Sequence, residues 1–182
     1  MPIDTSIDFV SINIAVITIS DSRTIENDTS GDMLEKRIKD SGHNMLKRII
    51  IPDDVQQIKD TLETMSKDKE VDCIITTGGT GLTGRDTTPE AVKEIASKHI
   101  DGFGELFRQV SFEKIGTSAI QSRAVAALIN STYVFCLPGS TGACKDGWDE
   151  ILKYQLDIRH KPCNFVEIMP RLQEHKFSRS KN

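Results

Sequence analysis

Short runs of apolar residues recur along this chain, separated by segments whose apolar residues follow helical spacing. The runs lie at residues 12–19, 45–51, 71–77 and 132–137. The first of them, INIAVITI, alternates but is rich in apolar residues. Such runs are typical of strands buried on both faces, as in a parallel sheet.

The segments between the runs predict helices. The first helix spans about residues 32–41 and ends at Gly42, and the second begins at Asp53 with Gln56 as its capping-box partner. Further helical segments are predicted at about 87–96, 105–110, 120–128 and 143–156, with a break at 102–104, where two glycines flank a phenylalanine. The β-α-β-α-β order at the start predicts a parallel sheet with helices on both faces.

Length and charge narrow the class of protein. A chain of 182 residues with a net charge of −4 has the size of one domain, so we expect a single domain over 1–182 with its core at about 12–165. No basic stripe is present, which argues against nucleic acid as a partner. Residues 1–11 lack the parts of a signal peptide, and no apolar run approaches the ~20 residues that cross a bilayer. We therefore expect a cytoplasmic protein without a membrane partner, ending in a frayed polar tail at 170–182.

The cysteines and histidines give no sign of a metal site. The four cysteines are scattered without a CxxC pair, and Cys73 and Cys136 fall inside predicted strands. The four histidines show no ligand spacing either. Reduced structural thiols are the expected state of these cysteines.

The segment after the third strand carries the strongest chemical signal. Glycines at 78, 79, 81 and 84 form a loop in which glycine admits positive φ and lets backbone amides approach a ligand. Thr87 to Glu90 then read as the start of a helix, with Pro89 at or next to its first position. A strand, a glycine loop and a helix N-terminus together favour phosphate binding.

General nucleotide motifs fit this loop poorly. Residues 79–84 match GxGxxG, but Pro89 places the helix start after the third glycine, and Asp101 does not follow a strand. A P-loop would require Lys-Ser or Lys-Thr where this chain has Arg85-Asp86. A dinucleotide site and a P-loop are therefore both disfavoured.

A second loop follows the last predicted strand. Pro138-Gly139-Ser140-Thr141-Gly142 comes directly after the run at 132–137. Loops at the carboxyl ends of strands in an open α/β sheet line one crevice, where ligands bind. The two loops are therefore expected to face each other across a ligand site.

These residues resemble those of a known family. The pattern Gly78-Gly79-Thr80-Gly81, then Arg85-Asp86-x-Thr88-Pro89-Glu90, together with Leu137-Pro138-Gly139-Ser140, is similar to the MoaB/Mog family of molybdenum cofactor biosynthesis. The similarity covers about residues 12–165. The stretches that resemble its B-type branch are 28–31, 102–127, 138–144 and 161–165.

The resemblance implies a fold and an activity. The fold is a three-layer α/β/α sandwich around a mostly parallel sheet, assembled as trimers or hexamers. The substrates are ATP and molybdopterin, the cofactor is Mg²⁺, and the products are adenylyl-molybdopterin and pyrophosphate; other enzymes of the molybdenum cofactor pathway are expected partners. The alternative is a non-catalytic molybdopterin-binding scaffold, since some B-type proteins lack the acid that matches Asp53.

The resemblance also implies roles for individual residues. Asp53 and Asp86 are the expected catalytic residues and Mg²⁺ ligands, and both follow strand ends, so both should face the crevice. The expected nucleotide-binding residues are Ser20, Asp21, Gly78, Gly79, Thr80 and Gly81. The expected pterin-binding residues are Ser118, Arg123, Pro138, Gly139 and Ser140.

Each of these residues could instead have a purely structural role. Asp53 could be a plain helix N-cap and Asp86 a turn former, because caps and turns favour aspartate. The two glycine loops could be turns alone, Ser20 and Asp21 could cap a loop, and Arg123 could form a surface ion pair. Trp148 is expected in the core or at a subunit interface.

An oligomer is expected from the sequence as well. Phe103, Phe107 and Phe112 fall within ten residues of a glycine-interrupted helix. Exposed together, they would form more apolar surface than a monomer usually carries. We therefore expect a homo-oligomer built through this surface, and the resemblance implies that its symmetry is threefold.

Overall fold

A six-stranded sheet organises the protein in the computed structural model, which describes residues 3–174. The strands are β1 Asn13–Ile19, β2 Asn44–Ile51, β3 Cys73–Thr77, β4 Lys98–His99, β5 Val125–Ile129 and β6 Thr132–Leu137, in the spatial order β2-β1-β3-β6-β5-β4. The first four strands in that order pair in parallel, and β5 runs antiparallel to both its neighbours. The mostly parallel sheet is thus confirmed.

Helices cover both faces of the sheet. They are α1 Thr29–Asp40, α2 Val55–Lys67, α3 Thr88–Ile95, α4 Asp101–Ile115, α5 Thr141–Gly147, α6 Lys153–Gln155 and α7 Phe165–Ile168, with a 3₁₀ turn at Gly116–Gln121 and a π-helical turn at Trp148–Leu152. The four longest helices, α1 to α4, bury apolar residues against one face or the other of the sheet, which produces the expected three layers.

The strands divide their side chains between two cores. Along β1, Ile14 and Val16 join the cluster that contains α1, α4 and α5, whereas Ala15 and Ile17 join the cluster under α2 and α3. Successive residues of a strand point to opposite faces. Both clusters are fully enclosed, which explains why the strand sequences are apolar at nearly every position. Trp148 lies in the first cluster and is 1% exposed, so it is a core residue.

Two predicted elements were wrong. Residues 102–104 do not break a helix; they lie inside the first turn of α4. Gly104 is suited to that place because a β-carbon there would meet the carbonyl oxygen of Ala124 at 2.5 Å. The alanine-rich segment 120–128, predicted as a helix, ends in strand β5, which is enclosed on both faces.

The predicted aromatic surface is also wrong in part. Phe103 and Phe107 are 4% and 1% exposed and pack in the core, and only Phe112 among the three is exposed. The phenylalanines lie on different sides of α4 because a helix turns through 100° per residue.

Met169–Arg171 form a short 3₁₀ turn, while residues 175–182 of the predicted polar tail lie outside the described residues. Within residues 3–174, no helix is both long and apolar enough to cross a bilayer.

Candidate functional site

A cavity of about 630 Å³ opens at the carboxyl ends of β1, β3 and β6. These three strands are neighbours in the sheet, so the loops that follow them meet at one edge. The polar and glycine residues that line the cavity are Thr18, Ser20, Arg23, Thr77, Gly78, Gly79, Thr80, Gly81, Asp86, Ser111, Gln121, Ser122, Gly139 and Ser140, and the apolar ones are Ile19, Phe107, Ile115, Pro138 and Ala143. The expected crevice between two glycine loops is therefore present.

The loop after β3 is packed too tightly for side chains. Gly78 and Gly79 have φ angles of 110° and 63°, whereas Gly81 and Gly84 do not have the positive φ expected of them. A β-carbon on Gly78 would clash with the carbonyl oxygen of Ile19, and one on Gly79 would clash with Thr88 and lie 2.5 Å from Asp53 Oδ1. The backbone of this loop is thus fixed against β1 and α3.

Asp53 does not cap a helix. Asp54 caps α2, because its carboxylate accepts a hydrogen bond from the Gln57 amide at 2.8 Å. The Asp53 side chain is consequently free of the cap, and its Oδ1 is buried without a hydrogen-bond partner in the described part of the chain. The plain N-cap interpretation of Asp53 is therefore wrong.

Burial and neighbouring acids perturb Asp53. Burial is the main cause that raises the pKa of this carboxyl to about 6, and the negative charges of Asp21 and Asp86 raise it further. Arg85 opposes the shift but does not cancel it. A buried carboxylate oxygen with no donor, surrounded by other acids, is a position that a cation would stabilise.

Asp86 combines a structural role with a place on the cavity wall. The amide and hydroxyl of Thr83 both donate to its Oδ2, at 2.8 and 2.6 Å, and these hydrogen bonds are the main cause that lowers the pKa of Asp86. A backbone hydrogen bond from Gly81 lowers the pKa of Asp86 as well. Asp86 therefore shapes its turn, as the structural alternative held, and still presents a charged oxygen to the cavity.

Asp21 lies beside the cavity rather than on its wall. Its Oδ1 accepts a hydrogen bond from the Asp53 amide at 3.2 Å, and its Oδ2 pairs with Arg85 at 2.7 Å. This contact joins the loop after β1 to the loop after β3. Arg85 is thus a cationic neighbour of both Asp21 and Asp53, whereas the cation near Asp86 is Arg123.

The loop after β6 forms the opposite wall. Ser140 caps α5 by accepting from the Ala143 amide at 3.2 Å, and the Thr77 hydroxyl donates to the Pro138 carbonyl at 3.1 Å. Gly139 approaches Gly78 so closely that its β-carbon would lie 3.4 Å from the Gly78 α-carbon. The two loops therefore hold each other in place.

Two residues assigned to the pterin are not on the cavity wall. Ser118 is exposed on the 3₁₀ turn after α4. Arg123 donates to the carbonyls of Gly81 and Asp86 at 2.7 and 2.6 Å and pairs with Glu90. Arg123 therefore supports the glycine loop. These contacts agree with the alternative of a surface ion pair rather than with a role in binding phosphate.

Sequence reasoning missed Arg23 and its buried partner Asp28. Arg23 lines the cavity and donates to the Gly139 carbonyl at 2.8 Å. Asp28 is fully buried and caps α1 through the Gly31 amide. The available signal was a basic residue in the loop that directly follows a buried strand.

The two acids are suited to Mg²⁺ bound together with a substrate, rather than to a metal held by the protein alone. Within residues 3–174 no group of three or more His, Cys, Asp or Glu side chains is arranged to hold a metal. Mg²⁺ usually takes one or two carboxylates, together with substrate phosphates and waters. Asp86 lines the cavity, whereas Asp53, which was expected to face it, is not on its wall and has its orphaned Oδ1 against Gly79. These two carboxylates would meet that requirement.

Known proteins resemble this chain over most of its length. A family model described as "Probable molybdopterin binding domain" matches residues 15–158. Molybdenum cofactor biosynthesis protein B of Escherichia coli K12 is 42% identical over 160 residues, which cover 88% of this chain and 94% of that protein.

Solved structures share the fold. A crystal structure of a molybdenum cofactor biosynthesis protein B superposes with a TM-score of 0.82 at 36% identity and covers 91% of this chain and 98% of that one. The tungsten cofactor synthesizing protein MoaB from Pyrococcus furiosus superposes with a TM-score of 0.70 at 29% identity, covering 91% and 96% of the two chains.

Proposed function

The chain belongs to the MoaB/Mog family of molybdenum cofactor biosynthesis proteins, and from that premise we propose that it is a molybdopterin adenylyltransferase. In this proposal Mg-ATP and molybdopterin react to give adenylyl-molybdopterin and pyrophosphate. The observation that carries the proposal is Asp53, whose buried Oδ1 has no hydrogen-bond partner in the described residues and whose carboxyl has a pKa of about 6. A scaffold that only bound the pterin would have no need for such a carboxylate.

Charge supports a metal-dependent nucleotide site. The carboxylates of Asp21 and Asp86 lie near that of Asp53 and raise its pKa, and the opposing charge of Arg85 does not cancel their effect. Like charges at close range destabilise one another unless a cation compensates them. Asp53 and Asp86 would hold Mg²⁺, which would neutralise charge on the phosphates between which the adenylyl group moves.

The chain's own residues would position two anionic substrates. The Gly78 amide donates to the Leu137 carbonyl and the Gly81 amide to Asp86, so the amides of Gly79 and Thr80 and the Thr80 hydroxyl are the groups that would meet phosphate oxygens. The loop at 138–140 forms the facing wall and is the proposed seat of the pterin phosphate. Holding the attacking phosphate oxygen in line with the α-phosphorus would supply much of the rate enhancement.

A direct assay tests the proposal. The purified protein is incubated with molybdopterin, ATP and Mg²⁺, and adenylyl-molybdopterin and pyrophosphate are measured. We expect both products to form in equal amounts, and neither to form when EDTA is present. Measurable pterin binding without either product would instead establish the non-catalytic scaffold.

Gly81→Val is expected to weaken Mg-ATP binding by about tenfold or more. The structure changes the reason for this effect, since Gly81 has no positive φ and the obstacle is Asp86. A β-carbon at Gly81 would lie 2.8 Å from Asp86 Oδ2, so the carboxylate would have to move. One lost charge-assisted contact corresponds to about a tenfold change in affinity.

Gly84→Val is the matched control for this substitution. Nothing lies within 4 Å of a β-carbon at Gly84 in the same loop. Its Mg-ATP affinity, measured by calorimetry, should equal that of the wild type. Equal affinity in folded Gly81→Val as well would remove the loop from the nucleotide site.

Self-association is part of the proposal, through a smaller apolar surface than the sequence suggested. Phe112 and Ile120 are 59% and 84% exposed and line one apolar groove. We expect light scattering to give the mass of a trimer or a multiple of it, and Ile120→Glu to lower that mass. Ile168→Glu, at an exposed site on α7, should leave the mass unchanged. A concentration-independent mass of one chain for the wild type would contradict self-association.

A further inference from the structure

Arg23 connects the two outer loops of the cavity across the middle one. It lies in the loop after β1, and one guanidinium nitrogen donates to the Gly139 carbonyl in the loop after β6, at 2.8 Å. The strand β3 lies between β1 and β6 in the sheet. The side chain therefore joins the loops that follow two non-adjacent strands; it lines the cavity and is 27% exposed.

A buried carboxylate holds Arg23 in this position. The second guanidinium nitrogen donates to Asp28 Oδ1 at 3.0 Å and also contacts the Ser30 hydroxyl. Burial alone would raise the pKa of Asp28, but hydrogen bonds from Thr18, Gly31, Arg48 and Arg23 outweigh burial and hold the pKa at about 2. Asp28 is thus ionised at every relevant pH and anchors Arg23 to the N-terminus of α1.

The charge on Arg23 is only partly compensated. Asp28 is shared with Arg48, which also pairs with Asp32 and Glu35. Arg23 pairs with no other carboxylate in the described part of the chain. Arg48 is therefore more than balanced by acids, whereas Arg23 brings positive charge to the cavity wall.

The cavity is consequently polarised. Among the described residues that line it, Arg23 and Asp86 are the two that carry a charge. Asp86 lies on the side of the cavity near Asp21 and Asp53, where the proposed Mg²⁺ would bind. Arg23 lies on the other side, against Gly139 and beside Ser140. Arg23 donates a hydrogen bond to the Gly139 carbonyl and so offsets the partial negative charge of its oxygen. Without Arg23, that oxygen would repel an anion at this wall.

We propose that Arg23 is a positioning residue that fixes the loop at 138–140 for an anionic group, which under the proposed function is the phosphate of molybdopterin. The inference rests on that function for the identity of the ligand. Lysine cannot replace Arg23. A guanidinium reaches Asp28 and Gly139 with two separate nitrogens, whereas lysine has a single ammonium nitrogen. Arg23 should therefore affect the pterin and not the nucleotide.

The test measures equilibrium binding of molybdopterin and of ATP separately, so no turnover is required. For Arg23→Lys we expect molybdopterin affinity to fall by about tenfold or more, the effect of losing one charge-assisted hydrogen bond, and ATP affinity to change less than about threefold. In steady state the KM for molybdopterin should rise while kcat stays nearly constant, because the loop binds the pterin without taking part in the reaction.

Arg48→Lys is the matched control. It also removes a guanidinium from Asp28 and should lower the melting temperature, but Arg48 does not line the cavity. Its molybdopterin affinity should remain near that of the wild type. Equal weakening by both variants would show that Asp28 acts on stability alone and would overturn the inference.

Further outcomes separate this inference from the proposed function. Unchanged molybdopterin affinity in folded Arg23→Lys would overturn the inference and leave the function standing. If that variant does not fold, Arg23→Gln, which keeps two donors without the charge, should show the same selective loss, and unchanged affinity there would equally overturn it. A wild type that binds ATP but no molybdopterin would overturn both.

Discussion

Asp53→Asn is expected to reduce turnover by at least about a thousandfold, because metal charge stabilisation at a transferring phosphoryl group is worth several kcal/mol. Asparagine keeps the size of the side chain and removes the charge that would hold Mg²⁺ under the proposed function. Product formation at saturating ATP and molybdopterin measures the effect. Turnover at the wild-type level in the folded variant would remove Asp53 from the catalytic residues.

The same substitution should stabilise the metal-free protein at neutral pH. The pKa of Asp53 is raised from 3.8 to about 6 in the folded state, so between these values the folded state binds more protons than the unfolded state, and stability falls as pH rises. The shift sets an upper limit of about 3 kcal/mol, and partial exposure reduces the expected gain to about 1–2 kcal/mol.

Melting curves over a pH series check this sign. The variant and the wild type should melt together near pH 3.5, separate between about pH 4 and pH 6, and differ by ~2–6 °C above that. Added Mg²⁺ should raise the melting temperature of the wild type but not of the variant, since under the proposed function only the wild type would bind it. A variant that melted below the wild type at pH 7.5 would contradict the burial argument.

Two neighbouring aspartates provide controls. Asp54→Asn should leave turnover unchanged, because Asp54 caps α2 and asparagine caps equally well. Asp86→Asn should lose turnover as Asp53→Asn does, but without the gain in stability. The pKa of Asp86 is lowered, chiefly by Thr83, so its charge stabilises the fold above its ordinary pKa and that contribution is lost as pH falls.

Gly78→Ala is expected to cost about 3 kcal/mol or more of unfolding free energy. The φ angle of Gly78 is 110°, which is strained for any residue with a β-carbon, and the new methyl would clash with the carbonyl oxygen of Ile19 in β1. Denaturant unfolding measures the loss. An insoluble Gly78→Ala protein would agree with this expectation, whereas a midpoint equal to the wild type would contradict the described packing of the loop.

Gly142→Ala is the control for that substitution. Gly142 lies in α5 without positive φ, and a β-carbon there would meet nothing within 4 Å. Alanine favours a helix by about 0.5–1 kcal/mol over glycine. The control should therefore be soluble and slightly more stable than the wild type.

The strands and the site loops were predictable because their signals are local. Strand β1 is apolar on both faces, and the loop at 78–81 combines glycines with the end of a buried strand. Residues 120–128 misled the prediction, since an apolar strand enclosed on both faces and a buried helix have similar composition. Gly104 misled it too, because only the nearby Ala124 carbonyl explains a glycine inside α4.

The site details depended on contacts that are distant in the sequence. Whether Asp53 or Asp54 caps α2 is a difference of one residue, and it decides which carboxylate is left for a metal. Arg23 contacts Gly139 over a separation of 116 residues. No local pattern reports such a contact, so the role of Arg23 could not be anticipated.

The order of the strands also determines when the cavity can form during synthesis. The loop at 78–81, Asp53 and Asp86 precede β6 in the chain, whereas the loop at 138–140, which forms the opposite wall of the cavity, follows it. The strands β3 and β6 pair across about 60 residues. Parallel pairs of such separation form late, since the loop-closure entropy must be overcome first. A nascent chain that has released β3 but not β6 from the ribosome thus carries an unpaired, apolar edge of β3, the kind of edge that invites aggregation.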